Sequence, residues 1–203
     1  MIFDGKSPAL VLVDVQRGAL LPSDETGIPH SGGAAARIER DRELVAAARA
    51  AAVPVIFVQE VHKRTLIDFG RELDGAEGIH GLEGDEATDL VEGLEPTADE
   101  YLIRKRRYSG FFQTELELVL RAYGVDTVVL VGGLTDVCIH YTAVDAHQHD
   151  YYVRVVEDCV GGSSPQAHDA ALRAILYLQR EALVRSEDVL AEFRALAEAH
   201  ASA

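Results

Sequence analysis

Short apolar runs alternate with longer segments of helical periodicity along most of this chain. The runs cover residues 8–15, 55–59, 101–104, 127–131 and 152–156, with a brief one at 182–184. The first is almost continuously apolar, which is typical of a parallel strand covered on both faces. Helices are predicted over 34–52, 113–123, from about 136, over 165–179 and over 187–199. This alternation predicts an α/β fold in which helices cover both faces of a parallel sheet.

The pattern fails between residues 63 and 100. Glycines are scattered there among charged residues with little periodicity, at Gly70, Gly75, Gly78, Gly81, Gly84 and Gly93. A loop of this length inside a compact domain is usually functional, so we expect it to form a lid or a wall of a binding site. No internal repeat and no linker divides the sequence, and residues 1–203 are expected to form a single domain.

Three chemically distinct side chains follow three of the predicted strands. Asp14 follows the apolar residues 9–13, Lys105 follows the run at 101–104, and Cys138 comes after the run at 127–131 and a glycine pair. Ligands of open α/β sheets bind outside the carboxyl ends of the strands, so these residues are expected to converge. An acid, a cation and a thiol in one pocket predict nucleophilic catalysis by a thiolate.

Each of these residues also has a purely structural interpretation. The predicted helix start at Cys138 would lower a thiol pKa, but free cysteine is also among the most buried residue types. Asp14 is suited to cap a helix, and Lys105 lies in a basic run of the kind that is usually solvated. Tyr108 and Phe112 either wall a pocket or pack the start of the next helix.

The composition narrows the range of partners. An excess of 34 acidic over 19 basic residues gives a formal charge of −15, which repels nucleic acids and anionic membrane surfaces. No window approaches the roughly 18 apolar residues of a membrane span, and the N-terminus lacks the features of a secretory signal. Two cysteines do not make a disulfide framework. We therefore expect a cytoplasmic protein with a small-molecule substrate and no nucleic-acid or membrane partner.

Four segments together resemble the isochorismatase-like cysteine hydrolases. That family includes nicotinamidases, N-carbamoylsarcosine and ureidoacrylate amidohydrolases, and biuret hydrolases. The matching text is Leu-Val-Asp14-Val-Gln16, Lys105-Arg-Arg-Tyr-Ser-Gly-Phe-Phe112, Val131-Gly-Gly-Leu-Thr-Asp-Val-Cys138 and Val156-Glu-Asp158. The resemblance covers about residues 8–178, and its specificity lies in the combination of the four segments.

The resemblance implies a three-layer α/β/α sandwich with a mostly parallel sheet of about six strands. It implies a triad in which Asp14 is the general base, Lys105 the cation and Cys138 the nucleophile. A cis peptide between Gly133 and Leu134 would orient the amides of Leu134 and Cys138 as an oxyanion hole.

The resemblance further implies a homodimer or homotetramer. Four side chains near the triad motifs are expected to contact the substrate: Gln16, Tyr108, Phe112 and Tyr141. The thiol itself favours C–N bond cleavage, because members of the family that hydrolyse a vinyl ether do not need a thiol nucleophile.

A carboxylate and two histidines raise the question of a metal. Glu60, His62 and His80 resemble the metal-binding spacing of nicotinamidases, with glutamate in place of the usual aspartate. One carboxylate and two imidazoles suit zinc or another divalent ion. The alternative is that these residues are polar groups of the pocket or the loop, with no metal required.

The sequence therefore predicts an amidohydrolase that forms a covalent intermediate on Cys138 and acts on a small amide, ureide or carbamoyl compound. A metal-containing nicotinamidase is the nearest alternative. A flavodoxin-like binding protein would use the same crevice, but it calls for a phosphate-binding glycine loop after the first strand, and residues 15–19 make a poor one.

Overall fold

A sheet of six parallel strands forms the centre of the computed structural model, which describes residues 2–3 and 6–202. In the described part of the chain the strands are β1 (Pro8–Val13), β2 (Val55–Glu60), β3 (Tyr101–Lys105), β4 (Thr127–Gly133), β5 (Tyr152–Gly161) and β6 (Leu183–Val184). Their order across the sheet is β3-β2-β1-β4-β5-β6, and every neighbouring pair is parallel.

Helices cover both faces of this sheet. They are α1 (Ser23–Thr26), α2 (Ala34–Ala50), α3 (Leu116–Ala122), α4 (His140–Gln148), α5 (Pro165–Leu178) and α6 (Ser186–Ala201). Apolar residues of α2 and α6 pack on one face, and those of α3, α4 and α5 pack on the other. Successive residues of β1 alternate between the two cores, which explains why this strand is apolar throughout. The predicted three-layer α/β/α sandwich is confirmed.

The order of the strands sets where a site can form. The chain moves from β1 to β2 and β3 in one direction, then returns to place β4 on the other side of β1. Connections therefore leave β1 and β4 in opposite directions and open a crevice at their carboxyl ends, which is where ligands bind in such sheets. Asp14 directly follows β1, and Cys138 lies five residues beyond β4.

Several element boundaries differ from those predicted by a few residues, and three of them show why. Strand β1 ends at Val13, because Asp14 turns the backbone into the left-handed region with φ of 53°. The helix predicted from residue 113 begins at Leu116, after Gln113 adopts φ of 55°. Strand β5 continues to Gly161, five residues beyond its predicted end, so Cys159 is a buried residue within a strand.

The irregular segment after β2 folds back over the carboxyl ends of the strands. It contains two short 3₁₀ turns, Glu72–Asp74 and Glu86–Thr88. Gln16 and Gln59 both donate side-chain hydrogen bonds to the carbonyl oxygen of Thr88, at 2.8 and 2.7 Å. The segment thereby forms a wall above the crevice. None of the helices among the described residues has the length and apolar character needed to cross a membrane.

Candidate active site

The acid, the cation and the thiol meet at the carboxyl edge of the sheet. Lys105 ends β3 and is 1% exposed, and its Nζ lies 2.8 Å from Oδ2 of Asp14 and 3.4 Å from Sγ of Cys138. The backbone N–H of Glu60 donates to Oδ1 of Asp14 at 2.7 Å, which fixes the carboxylate. The structure therefore brings together three residues that are up to 124 positions apart, as the sequence predicted.

Glu60 belongs to the same constellation. Its Oε2 pairs with Nζ of Lys105 and lies 3.7 Å from Sγ of Cys138. Lys105 thus bridges two carboxylates, which is how an ammonium tolerates burial. The sequence predicted Glu60 as a metal ligand or a polar group of the pocket, and not as a partner of Lys105. Its position at the carboxyl end of β2, between β1 and β3, was the signal that it would also reach Asp14 and Lys105.

Burial and charge set the protonation of these groups. Desolvation raises the pKa of Asp14, and Lys105 opposes that rise. Burial disfavours the Lys105 ammonium, but Asp14, Cys138 and Glu60 raise its pKa well above the ordinary value. Burial also disfavours ionised Glu60, yet Lys105 and two imidazoles hold its pKa well below the ordinary value. Desolvation raises the pKa of the Cys138 thiol well above its ordinary value, so the resting thiol is protonated beside a base.

An unusual backbone path places the thiol. Gly132 has φ of 112°, and a Cβ there would overlap the carbonyl oxygen of Val13 on the neighbouring strand. The Gly133–Leu134 peptide is cis. Cys138 lies in a single π-helical turn, Thr135–Ile139, that runs directly into α4. Such turns recur at functional sites because they redirect side chains within a helix.

A cavity of about 210 Å³ opens above the thiol. Asp14, Glu60 and Cys138 line it on the sheet side, as do the predicted substrate contacts Gln16 and Tyr108. Phe112 and Tyr141, also predicted to contact the substrate, do not line this cavity. They are 50% and 52% exposed, and the ring of Tyr141 lies 5.8 Å from the ring of Tyr108, just outside the lining.

Sequence reasoning missed several charged residues of the cavity wall, among them Glu77 and Arg37; Glu25, Asp41 and Asp85 line it as well. Glu77, in the irregular segment, accepts a hydrogen bond from the Tyr108 hydroxyl at 3.1 Å. Arg37, in the first turn of α2, faces the cavity from the opposite side. Neither lies at a strand end. For Arg37 the only sequence signal was a basic residue in a helix with an apolar inner face.

A second cluster of ionisable groups adjoins the triad through Glu60. Its Oε1 lies 3.2 Å from Nε2 of His62 and 2.9 Å from Nε2 of His80. Glu72, which the sequence analysis did not single out, places Oε2 3.2 Å from the same nitrogen of His62. Burial disfavours protonated His62, but Glu60 and Glu72 raise its pKa to about 9. The structure therefore brings the three predicted residues together, and Glu72 joins them as a fourth member.

This cluster fits a divalent metal ion. One ligand atom from each of Glu60, His62, Glu72 and His80 lies within 4.8 Å of the others. Within the described residues, the Glu72 carboxylate is only 3% exposed and accepts no well-aligned hydrogen bond, its charged neighbours being His62 at 3.2 Å and Arg107 at 4.0 Å. The imidazole of His80 uses Nδ1 to bond the carbonyl oxygen of Gly78 at 2.7 Å, which leaves Nε2 facing the cluster. Two imidazoles and two carboxylates form a donor set that zinc accepts.

Comparison with known proteins places this geometry among hydrolases. Maleamate amidohydrolase from Pseudomonas putida is 33% identical over 201 residues, covering 95% of this chain and 90% of that protein. Ureidoacrylate amidohydrolase RutB from Serratia proteamaculans is 32% identical over 192 residues, covering 84% and 76%. The pyrazinamidase of Pyrococcus horikoshii in complex with zinc superposes with a TM-score of 0.74 at 26% identity, covering 88% of this chain and 99% of that one.

The isochorismatase domain matches residues 8–188, a range that contains all six strands and every residue of the constellation described above. The resemblance seen in four separate segments is thus confirmed over most of the chain, and this protein belongs to the isochorismatase family.

Proposed function

We propose that this protein is a cysteine-dependent amidohydrolase that cleaves a C–N bond of a small amide, ureide or carbamoyl compound. The observation that carries the proposal is the placement of the Cys138 thiol at the floor of the cavity, 3.4 Å from Nζ of Lys105 and in contact with carboxylates. A thiol with a base and a buried cation beside it is equipped for covalent catalysis. The relatives named as amidohydrolases support the same reaction class.

In the first half of the reaction, Asp14 takes the proton of Cys138 as Sγ attacks the carbonyl carbon. Its raised pKa brings Asp14 closer to the range in which a carboxyl both accepts and donates a proton. The Lys105 ammonium stabilises the thiolate, and the backbone amides of Leu134 and Cys138 stabilise the developing oxyanion. Asp14 then protonates the departing nitrogen, so ammonia or an amine leaves and a thioester or thiocarbamate remains.

In the second half, water attacks the acyl carbon while Asp14 accepts one of its protons. The tetrahedral intermediate expels the Cys138 thiolate, which recovers the proton from Asp14. The net reaction is addition of one water across the C–N bond, and the enzyme returns to its starting state. Glu60 keeps its negative charge throughout and holds Lys105 protonated, because its pKa is well below the ordinary range.

This sequence of steps needs no metal. If a divalent ion binds, Glu60, His62, Glu72 and His80 would hold it, and it would supply a Lewis acid for a substrate nitrogen or oxygen. A metal-containing nicotinamidase stays the alternative function, favoured by that cluster and by the zinc complex of the structural neighbour. We favour a short amide or ureide because the chain has no tryptophan to stack on a pyridine ring and carries glutamate at residue 60.

Ammonia release tests the proposal. Purified protein is to be assayed with maleamate, ureidoacrylate, N-carbamoyl amines, biuret and nicotinamide. We expect turnover of a short amide or ureide in the wild type, loss of turnover in Cys138→Ala, and retained turnover in Cys159→Ala, the matched change at the other cysteine. Mass spectrometry is expected to find iodoacetamide on Cys138 before Cys159. Full activity in Cys138→Ala would overturn the mechanism.

Chelation separates the two candidate functions. We expect dialysis against a strong chelator to leave the hydrolysis of short amides or ureides intact. The nicotinamidase function would be favoured instead if chelation abolishes activity and nicotinamide is cleaved faster than every other compound. Absence of turnover with all of these compounds, together with tight binding of a nucleotide or flavin, would favour a binding protein.

A further inference from the structure

Among the described residues that line the cavity, Arg37 is the one arginine or lysine, and the acidic lining residues include Asp41 on the same helix. Arg37 projects from the first turn of α2, and its guanidinium packs against Gly161, the last residue of β5. A Cβ on Gly161 would overlap the guanidinium carbon of Arg37 and two of its three nitrogens, Nη2 and Nε. Glycine at residue 161 therefore makes the space that Arg37 occupies, and both residues line the cavity.

Arg37 forms no ion pair within the described part of the chain, although Asp41 is close enough to influence its charge. Its Nη1 donates to the carbonyl oxygen of Gly32 at 2.7 Å, and among the described residues no carboxylate oxygen comes within ion-pair distance of it. Arg40, one turn further along the same helix, differs because its Nε lies 3.5 Å from Oδ2 of Asp158. Burial lowers the pKa of Arg37, with Asp41 opposing. A partly desolvated guanidinium is a strong partner for an anion that enters the cavity.

The position of Arg37 relative to the thiol suits a small substrate. Gly161 pairs with Gly133, the residue that precedes the Leu134 amide. Neighbouring strands are about 4.8 Å apart, so the guanidinium lies roughly one strand spacing from the place where the oxyanion would form. That separation is spanned by a few covalent bonds.

Acidic groups predominate in the cavity lining, and they repel a substrate carboxylate: Asp14, Glu25, Glu60, Glu77 and Asp85. Asp41 also lines the cavity, one turn from Arg37 on α2, and desolvation raises its pKa to about 7, which reduces its negative charge. Among the described lining residues, Arg37 is the one lysine or arginine, so it marks the place in the cavity that attracts a carboxylate. A substrate with an amide at one end and a carboxylate at the other has one favourable orientation, with its scissile carbon toward Cys138.

We propose that Arg37 binds a carboxylate of the substrate, and that the substrates of this protein are short amides or ureides that carry a carboxylate within a few bonds of the scissile carbon. This inference rests on the proposed amidohydrolase function and narrows its substrate class. In this proposal, the missing side chain of Gly161 leaves the space that the Arg37 guanidinium occupies.

Matched substrates and variants test the inference. The measured quantity is kcat/KM for maleamate, an anionic monoamide, divided by kcat/KM for its neutral diamide maleamide. In Arg37→Gln we expect this ratio to fall about ten- to a hundredfold, since one charged hydrogen bond contributes about 1.5–3 kcal/mol. Gly161→Ala keeps the charge but displaces the guanidinium, and we expect a similar fall. Arg40→Gln, the matched control outside the cavity, is expected to keep the wild-type ratio.

A binding measurement separates failure of the inference from failure of the proposed function. Levulinate carries a methyl ketone where a monoamide carries its amide, and it cannot be hydrolysed. Calorimetry is expected to find binding of levulinate, weaker binding of its methyl ester, and loss of the difference in Arg37→Gln. Levulinate binding without any amide turnover would overturn the hydrolase function alone. Turnover with equal ratios in wild type and Arg37→Gln would overturn the role of Arg37.

Discussion

The buried ammonium of Lys105 is stabilised by the carboxylates of Asp14 and Glu60. The proposed chemistry depends on these three charged groups together. Nζ of Lys105 contacts Asp14, Glu60 and the thiol, so the removal of one group changes the protonation of the others. Residues that act as a unit show strongly non-additive effects on rate.

We therefore expect Asp14→Asn to lower kcat by about 10²–10⁴, the usual contribution of a general base. Lys105→Gln is expected to lower it by a similar factor, because the thiolate loses its cation. The double variant should be little worse than either single one. Steady-state kinetics at saturating substrate measures this. Small, additive effects would mean that the two residues only flank the pocket.

Asp41 is a buried acid with a structural consequence. The residue is 1% exposed on α2, and desolvation raises its pKa to about 7. Oδ1 of Asp41 has no hydrogen-bond partner among the described residues. Between the unfolded pKa near 4 and the folded value near 7, the native state holds a proton that the unfolded chain has released. Stability attributable to this group is therefore present at low pH and is lost as the pH rises to about 7.

Asp41→Asn removes this titration. Relative to wild type, we expect the variant to gain about 2–3 kcal/mol in the free energy of unfolding as pH increases from 5 to 8. Urea unfolding of both proteins at each pH measures the change, and the comparison cancels the titration of all other groups. If the free energies of unfolding of wild type and Asp41→Asn differ by the same amount at every pH, Asp41 is ionised in the native state throughout this range.

At the scale of elements, the carboxyl end of β4 leaves no room for a side chain at Gly132. Gly132 combines a positive φ with a Cβ position that overlaps backbone of β1. The register between β4 and β5 also shifts here, between Leu130 and Gly132. The neighbouring atom is a main-chain carbonyl oxygen, so it cannot rotate away as a flexible side chain would.

We expect Gly132→Ala to lower the free energy of unfolding by about 3 kcal/mol or more, from backbone strain and overpacking together. Gly124→Ala is the matched control, because that glycine has φ of 67° and nothing within 4 Å of its Cβ position. Its expected loss is only the cost of a left-handed backbone for alanine, about 1–2 kcal/mol. Denaturant titration compares the two, and equal losses would show that the overlap with β1 relaxes freely.

The irregular segment and β2 are joined through the Glu60, His62, Glu72 and His80 cluster. A divalent ion held there would bind the native state only. At a free concentration of 100 times its Kd, it would stabilise the native state by about 2.7 kcal/mol. We expect zinc to raise the melting temperature of the wild type and to have less effect on Glu72→Gln. Glu86→Gln, at an exposed glutamate of the same segment, is the control. Equal shifts in all three proteins would place the zinc elsewhere.

At the scale of the whole molecule, the expected homodimer or homotetramer stays a prediction. Large apolar side chains remain exposed near the active site, including Ile79, Phe112 and Tyr141. Exposed groups of this kind are common on monomers as well as at interfaces. Light scattering coupled to size-exclusion chromatography is expected to give twice or four times the mass of one chain. A monomeric mass would contradict this prediction.

The sequence by itself determined the parallel sheet, its two helical layers and the meeting of Asp14, Lys105 and Cys138. These follow from local rules, because a continuous apolar run predicts a buried strand and a parallel sheet gathers its strand ends at one edge. The same rule brought Glu60 and His62 to that edge.

Only the tertiary structure decided the roles that depend on distant packing. Glu72 and Arg37 reach the site from a loop and from a helix, where no strand end marks them, and Phe112 and Tyr141 lie outside the cavity although they are close in sequence to its residues. The polar residues Glu157 and Asp158 suggested that β5 ends before them. The strand continues because Val160 and Gly161 beyond them pair with β4. Periodicity reports the environment of a residue along its own element, whereas a cavity wall is set by which elements fold over it.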